Sequence, residues 1–131
     1  MEPQINADER GLNELTERII GCAFRVSNTL GCGFLEKVYE SALAHELRKN
    51  GLEVTQQQAI SVSYDGVSVG EYVADLLVEG AVLVELKAVR QLDSVHLAQC
   101  MNYLKATGLK ICLLLNFGKQ RVEIKRIVND L

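Results

Sequence analysis

The sequence predicts an α/β fold in which a single mixed β-sheet is flanked by helices. Apolar residues recur at steps of three and four through the first fifty residues, which is the spacing of helices that bury one face. From Val54 the apolar residues alternate instead, as they do in strands. Residues 111–115 form a continuous apolar run, which is typical of a strand covered on both faces. A chain of 131 residues suits one domain with one site.

Eight elements are predicted, in the order α-α-β-β-β-α-β-β. Polar residues 1–11 include Pro3 and are expected to form a flexible N-terminal arm, so that the single domain spans 12–131. The predicted helices are 12–30, 35–50 and 94–105, and the predicted strands are 54–64, 67–78, 82–88, 110–116 and 122–127. Asp65 and Gly66 predict a two-residue hairpin turn. Gly70 predicts a bulge in the returning strand.

The charge and cysteine content restrict the class of protein. The chain has 14 Lys and Arg and 17 Asp and Glu, which gives a net charge of −3. This charge argues against a protein that coats nucleic acid generally, but not against an enzyme whose carboxylates bind cations. The four cysteines lack zinc-site spacing and lie in apolar neighbourhoods, so we expect reduced core thiols and a cytoplasmic protein. Neither a signal peptide nor a membrane-spanning stretch is expected.

Two carboxylates interrupt the second predicted hairpin. If the turn contains the three residues 79–81, the register places Asp75 directly opposite Glu85 on one face, whereas a two-residue turn would separate them. Two like charges in a mostly apolar sheet are unfavourable unless a cation lies between them, and carboxylate oxygens suit magnesium or manganese. In the alternative interpretation, these acids and Lys87 lie on a solvated face and form ordinary ion pairs.

Polar residues on two predicted helices could join this pair. Glu36 lies near the start of the second helix, where an acid is also favoured by the helix dipole alone. His96, Gln99 and Tyr103 share one face of the third helix, which could equally be a solvated strip or contain a core histidine.

Three ordered motifs resemble a known family. Asp75 followed by Glu85-Leu86-Lys87 resembles the D…(D/E)-x-K core of the PD-(D/E)XK nuclease superfamily. Gln99 and Tyr103 resemble the QxxxY motif of its RecB-like branch. The segment 33–39 is a complete Gly-x-x-Glu-x-x-Tyr, and over residues 12–128 the chain resembles the GxxExxY protein family. The resemblance implies an αβββαβ core with an extra N-terminal helix. The sequence differs from the family pattern at three positions. The family often has a proline at the position of Cys32, a basic residue at that of Val73 and an acidic residue at that of Leu97.

The resemblance implies a nuclease that uses Mg²⁺ or Mn²⁺ and acts on DNA or RNA. Its implied metal ligands are Glu36, Asp75 and Glu85, its implied catalytic residues are Asp75, Glu85, Lys87 and Gln99, and its implied substrate-binding residues are Tyr39, His96 and Tyr103. The departures at Val73 and Leu97 favour an alternative, a catalytically inactive module that binds nucleic acid or a protein partner. A nucleotide-binding enzyme has little support, because the chain lacks a phosphate-binding loop. We also expect a homodimer.

Overall fold

The computed structural model describes residues 9–131, and their elements follow the predicted order. The helices are α1 (Glu9–Leu30), α2 (Glu36–Lys49) and α3 (Ser94–Thr107), and the strands are β1 (Val54–Tyr64), β2 (Val67–Val78), β3 (Val82–Lys87), β4 (Ile111–Asn116) and β5 (Glu123–Val128). No helix in this part of the chain is long and apolar enough to cross a membrane.

The first helix begins earlier than predicted. Helix α1 starts at Glu9 rather than at residue 12, and Gly11 is buried. An acid in the first turn interacts favourably with the helix dipole, which the assignment of 1–11 to an arm did not take into account. Residues 9–11 therefore belong to the helix, and the rest of the predicted arm, 1–8, lies outside the described residues.

The five strands form one mixed sheet in the order β1-β2-β3-β4-β5. Neighbouring strands are antiparallel except β3 and β4, which are parallel and are connected through α3. All six residues of β4 are buried, as its continuous apolar run predicted. Strand β5 lies at one edge of the sheet, also as expected.

Two helical layers cover the sheet. Helices α1 and α2 pack on one face, where they meet aliphatic residues of β2, β3 and β4 such as Leu76, Val84 and Leu113. Helix α3 packs on the other face against residues such as Leu83 and Leu114. Side chains therefore alternate along β3, with Val84 facing one layer and Leu83 the other.

The first hairpin has the predicted turn and bulge. Asp65 and Gly66 both adopt left-handed backbone angles, with φ of 56° and 77°, as the tight turn that joins β1 to β2 requires. The register then shifts between Val62 and Ser63, whose partners are Gly70 and Ser68. Val69 is the extra residue, so the bulge lies next to the predicted glycine.

The expected alternation fails in the middle of β2. Leu76 packs in the layer of α1 and α2, whereas Ala74, two residues away, packs in the layer of α3. Across the ladder, Gln57 of β1 lies opposite Asp75 and has a φ of 57°, which is uncommon for a residue other than glycine. The side chain of Ala74 therefore faces the layer of α3 and not the layer that Leu76 joins, because the left-handed backbone of Gln57 interrupts the extended conformation of the paired strands at this point.

The cysteines agree only in part with the expectation of core thiols. All four are free, and Cys22, Cys100 and Cys112 are buried. Cys32 is exposed, which corrects the prediction. It lies in the loop between α1 and α2, between two glycines with left-handed backbone angles, and this loop stays at the surface.

Candidate active site

The turn after β2 brings the two predicted acids together. Val78 pairs with Val82 and Leu76 pairs with Val84, so three residues separate the paired ends, as the favourable register required. The N–H of Ala81 donates to the carbonyl of Val78 across this turn, at 3.0 Å. Continuing the register by one residue places Asp75 opposite Glu85.

Asp75 and Glu85 end the ladder between β2 and β3 by a reciprocal exchange of hydrogen bonds. The backbone N–H of Asp75 donates to Glu85 Oε2 at 2.7 Å, and the N–H of Leu86 donates to Asp75 Oδ2 at 2.8 Å. Each carboxylate therefore accepts a main-chain donor of the other strand. Within residues 9–131, no hydrogen-bond donor reaches the second oxygen of either side chain, so Asp75 Oδ1 and Glu85 Oε1 are left for another ligand.

The pair is electrostatically unfavourable without a cation. Burial, and next the charge of the nearby Asp75, raise the pKa of Glu85 to about 8, against smaller opposite effects of the hydrogen bond from the Asp75 N–H and of the charge of Lys87. Burial also raises the pKa of Asp75, where the Leu86 hydrogen bond opposes it and the charges of Glu40 and Glu36 add to it. Both carboxyl groups therefore favour the proton or another positive partner.

Helix α2 places Glu36 at the same end of β3. Glu36 begins the helix, and its Oε2 accepts a hydrogen bond from the N–H of Ala88 at 3.2 Å. Ala88 follows Lys87, the last residue of β3. Glu36 thus contacts the main chain directly after the predicted lysine, and its charge reaches both Asp75 and Glu85.

A second acid of α2, Glu40, was not predicted. It is only 4% exposed, and its carboxylate accepts hydrogen bonds from Gln57 Nε2 at 2.8 Å, from Gln56 Nε2 at 2.9 Å and from Lys37 Nζ at 3.2 Å. Two successive strand residues reach one carboxylate because Gln57 has a left-handed backbone. The sequence does contain a signal for Glu40. It lies four residues after Glu36 and therefore on the same face of the helix as that predicted site residue.

The donor set fits a hard divalent cation. Mg²⁺ and Mn²⁺ prefer carboxylate oxygens, and Mg²⁺ usually takes only one or two protein carboxylates while retaining water. The second oxygens of Asp75 and Glu85 meet this need. Within the described part of the chain no group of three His, Cys, Asp or Glu side chains forms a complete metal site, and the carboxylate of Glu36 is engaged by Ala88.

Helix α3 contributes Gln99 and Tyr103 on one side of a groove that also contacts β1 and β2. Tyr103 is mostly buried. Burial raises its pKa to about 12, and the charges of Glu85 and Asp75 are the next largest causes. Tyr103 packs in the same buried cluster as Ala74, the residue before Asp75 in β2.

His96 has a local role at the start of the same helix. Its Nδ1 accepts a hydrogen bond from the N–H of Asp93 at 3.1 Å, while Asp93 Oδ1 accepts from the N–H groups of Val95 and His96. The two residues form a capping box. The structure thus explains His96 by helix capping.

Tyr39 corrects one expectation. Its side chain is fully buried and stacks on Phe117, with ring centroids 4.7 Å apart. The hydroxyl donates to the carbonyl of Gly31 at 2.6 Å and accepts from the N–H of Phe34 at 3.2 Å. Tyr39 therefore holds the loop in front of Glu36, and a fully buried ring is not available to contact a substrate.

Comparison with known proteins gives the chain a family. A model of the PD-(D/E)XK nuclease superfamily matches residues 13–127. The chain is similar in structure to an alkaline exonuclease from Laribacter hongkongensis, with a TM-score of 0.55 and 16% identity over 97% of this chain and 75% of that chain. The complex of that exonuclease with dAMP has a TM-score of 0.56, with 16% identity over 96% and 75% of the two chains.

A third solved structure, that of SSO0001, has a TM-score of 0.52 and 19% identity, and the likeness covers 91% of this chain and 60% of that one. No curated protein matches the chain. At these identities the solved structures show a shared fold, whereas the family model covers most of the sequence. The chain belongs to the PD-(D/E)XK nuclease superfamily.

Proposed function

We propose that this protein is a nuclease that hydrolyses phosphodiester bonds of DNA or RNA and depends on Mg²⁺ or Mn²⁺. The observation that carries the proposal is the reciprocal pair of the half-buried Asp75 and the buried Glu85, two carboxylates that each keep one oxygen for a cation. Membership of the nuclease superfamily and the likeness to an alkaline exonuclease support the same activity.

Each residue of the site has a separate task in this proposal. Asp75 and Glu85 hold the metal, and Glu36 supports the same or a second ion from α2. A divalent cation held there would acidify a water molecule to give the hydroxide nucleophile and would neutralise the charge that develops on the phosphate. Lys87 positions the attacking water and adds positive charge beside two acids.

Two residues of α3 would act on the side of the substrate. Gln99 lines the groove beside α3 and would orient the water or a metal ligand. Tyr103 lies close to the acid pair and would contact the substrate. We further propose that the chain belongs to the GxxExxY branch, on the ordered motifs that contain Glu36, Asp75 and Gln99.

Cleavage assays with pure protein test the proposed activity. We expect Mn²⁺- or Mg²⁺-dependent cleavage of at least one of single-stranded or duplex DNA and RNA. The variants Asp75→Asn, Glu85→Gln and Lys87→Met should each lower the rate by about 100-fold or more, because each loses a charge at the reacting centre. Glu71→Gln is the matched control, since Glu71 is an exposed acid of the same strand as Asp75. Cleavage that survives all three changes would place the reaction elsewhere.

A catalytically inactive module is the second candidate. Val73 and Leu97 occupy positions where the family often has a base and an acid. In this structure Val73 is exposed, and Leu97, which belongs to α3, packs against the buried cluster under that helix. Calorimetric titration with Mn²⁺ separates the candidates. The nuclease proposal requires heat of binding that disappears in Asp75→Asn, and binding absent from the native protein favours the module.

The proposal includes a homodimer that works in the cytoplasm. Exposed apolar side chains Tyr64, Val67 and Val69 lie together near the tip of the first hairpin and would be covered by a second copy. Sedimentation equilibrium should then give twice the 14.5 kDa of one chain. A monomer at micromolar concentration would contradict the dimer.

The cytoplasmic location in this proposal is supported by the cysteines. Three of them are buried free thiols, which is typical of proteins in a reducing compartment.

A further inference from the structure

A groove separates the first hairpin from helix α3. It encloses about 690 Å³, within the usual range for sites that enclose one small ligand. Ser61 and Tyr72 line it from the hairpin, and Gln99, Asn102, Tyr103 and Lys105 line it from α3. A space of this size suits a ligand about as large as a nucleotide.

The groove lies beside the part of β2 that carries Asp75, since Tyr72 of its wall precedes Asp75 by three residues. Tyr103, in the opposite wall, packs in the same buried cluster as Ala74 and Leu83, which belong to the two strands that carry the acid pair. The charges of Glu85 and Asp75 also act on its hydroxyl. The ring of Tyr72 lies 5.9 Å from that of Tyr103 at an angle of 49°. Tyr72 is nevertheless 52% exposed, so much of this ring is open to a ligand.

The chemistry of the walls favours bases over phosphates. Lys105 is the one cation that lines the groove among the described residues, and the other polar groups are hydroxyls and amides. Duplex binding depends mainly on several cations that neutralise phosphates. Single strands are bound largely by aromatic rings on which successive bases stack.

We propose that this groove binds a single strand of nucleic acid, with a base stacked on Tyr72 and the adjoining phosphate near Lys105, and directs the strand toward Asp75 and Glu85. This inference rests on the proposed nuclease function and adds to it the strandedness of the substrate and a binding residue, Tyr72, outside the sequence motifs. Asn102 and Ser61 would hydrogen-bond the sugar or base edges.

Fluorescence anisotropy tests the proposal by binding alone. The probe is a labelled oligothymidine of about eight nucleotides, within the range of single-strand site sizes, measured with Ca²⁺ in place of Mg²⁺ and compared with a blunt duplex of equal length and with oligouridine. We expect tighter binding of the single strands than of the duplex. Tyr72→Ala should weaken single-strand binding about tenfold or more, which corresponds to the loss of one stacked base, whereas Tyr72→Phe should bind nearly as the native protein does.

Two further variants make the result specific to the groove. Phe34→Ala removes another exposed aromatic ring, one that does not line the groove, and should leave affinity unchanged. Lys105→Gln should lower both the affinity and the dependence of binding on salt. Because Tyr72 is half exposed, its alanine variant should keep its thermal unfolding midpoint, which circular dichroism checks.

The outcomes distinguish this inference from the proposed function. Equal binding by Tyr72→Ala and the native protein, or preference for the duplex, overturns the groove even if the protein cleaves nucleic acid. Tyr72-dependent binding by a protein that cleaves nothing in Mg²⁺ or Mn²⁺ supports the groove and contradicts the nuclease.

Discussion

Glu85 shows how a single buried group makes this protein sensitive to pH. Its side chain is 4% exposed, and burial raises its pKa from 4.5 to about 8. The folded state therefore binds this proton more tightly than the unfolded chain does. The stability that comes from the protonated carboxyl is present below about pH 4.5 and is lost as the pH rises toward 8.

A glutamine at this position should remove most of that dependence. Glu85→Gln keeps a side-chain oxygen that accepts from the N–H of Asp75 but does not ionise. In a chelating buffer, we expect the variant to be more stable than the native protein near pH 8.5 by on the order of 2 kcal/mol, and about equally stable near pH 4. Urea unfolding at both pH values measures this difference. Parallel pH profiles for the two proteins would show that Glu85 is not the group responsible.

At the scale of elements, the loops after β3 and β4 are held together behind the site. Asn116, at the end of β4, accepts from the N–H groups of Val89 and Gly118 and donates to the carbonyl of Val89. The N–H of Phe117 also donates to the carbonyl of Lys87 at 2.7 Å. The segment that carries Lys87 is therefore fixed to the neighbouring parallel strand.

Gly118, in the loop after β4, should tolerate substitution poorly. A Cβ there would lie 2.3 Å from the carbonyl oxygen of Val89 and 2.5 Å from its nitrogen, so the two loops would have to separate. We expect Gly118→Ala to destabilise the fold by about 1–3 kcal/mol. Gly21→Ala is the control, because nothing lies within 4 Å of its Cβ and it lies inside α1, where alanine should stabilise by up to about 1 kcal/mol. Thermal unfolding followed by circular dichroism measures both, and equal effects would contradict the close approach.

For the whole molecule, metal binding and folding should be coupled. The two oxygens that would hold the cation come from the neighbouring strands β2 and β3, and these meet only in the folded chain. A ligand that binds the folded state alone at about 100 times its Kd adds about 2.7 kcal/mol of stability.

Mn²⁺ should therefore raise the unfolding temperature of the native protein by several degrees, and the increase should be larger at pH 8 than at pH 6, since the cation must displace the Glu85 proton. Differential scanning calorimetry measures both increases. Asp75→Asn should lose the response and Glu71→Gln should keep it. An equal response in Asp75→Asn would contradict a metal site at the acid pair.

Much of the fold followed from the chain alone because its signals are local. Periodicity located the elements, and Asp65 and Gly66 located the first hairpin turn. The sequence left two registers open for the second hairpin, and the structure has the one with three residues, 79–81, in the turn. These features depend on backbone sterics and on the burial of one face. The sequence by itself therefore determined the order of the elements and the two candidate acids, and the tertiary structure decided that Asp75 and Glu85 lie opposite each other.

Only the tertiary structure decided which layer each side chain joins around that pair. The left-handed backbone of Gln57 moves Ala74 to the layer of α3 and lets two glutamines reach Glu40, which no alternation pattern predicts. Tyr39 follows a functional motif but fills the core against Phe117. Burial and backbone rotation depend on contacts between segments far apart in the chain. Local spacing in the sequence therefore indicates the candidate acids, whereas tertiary packing determines which side chains surround them.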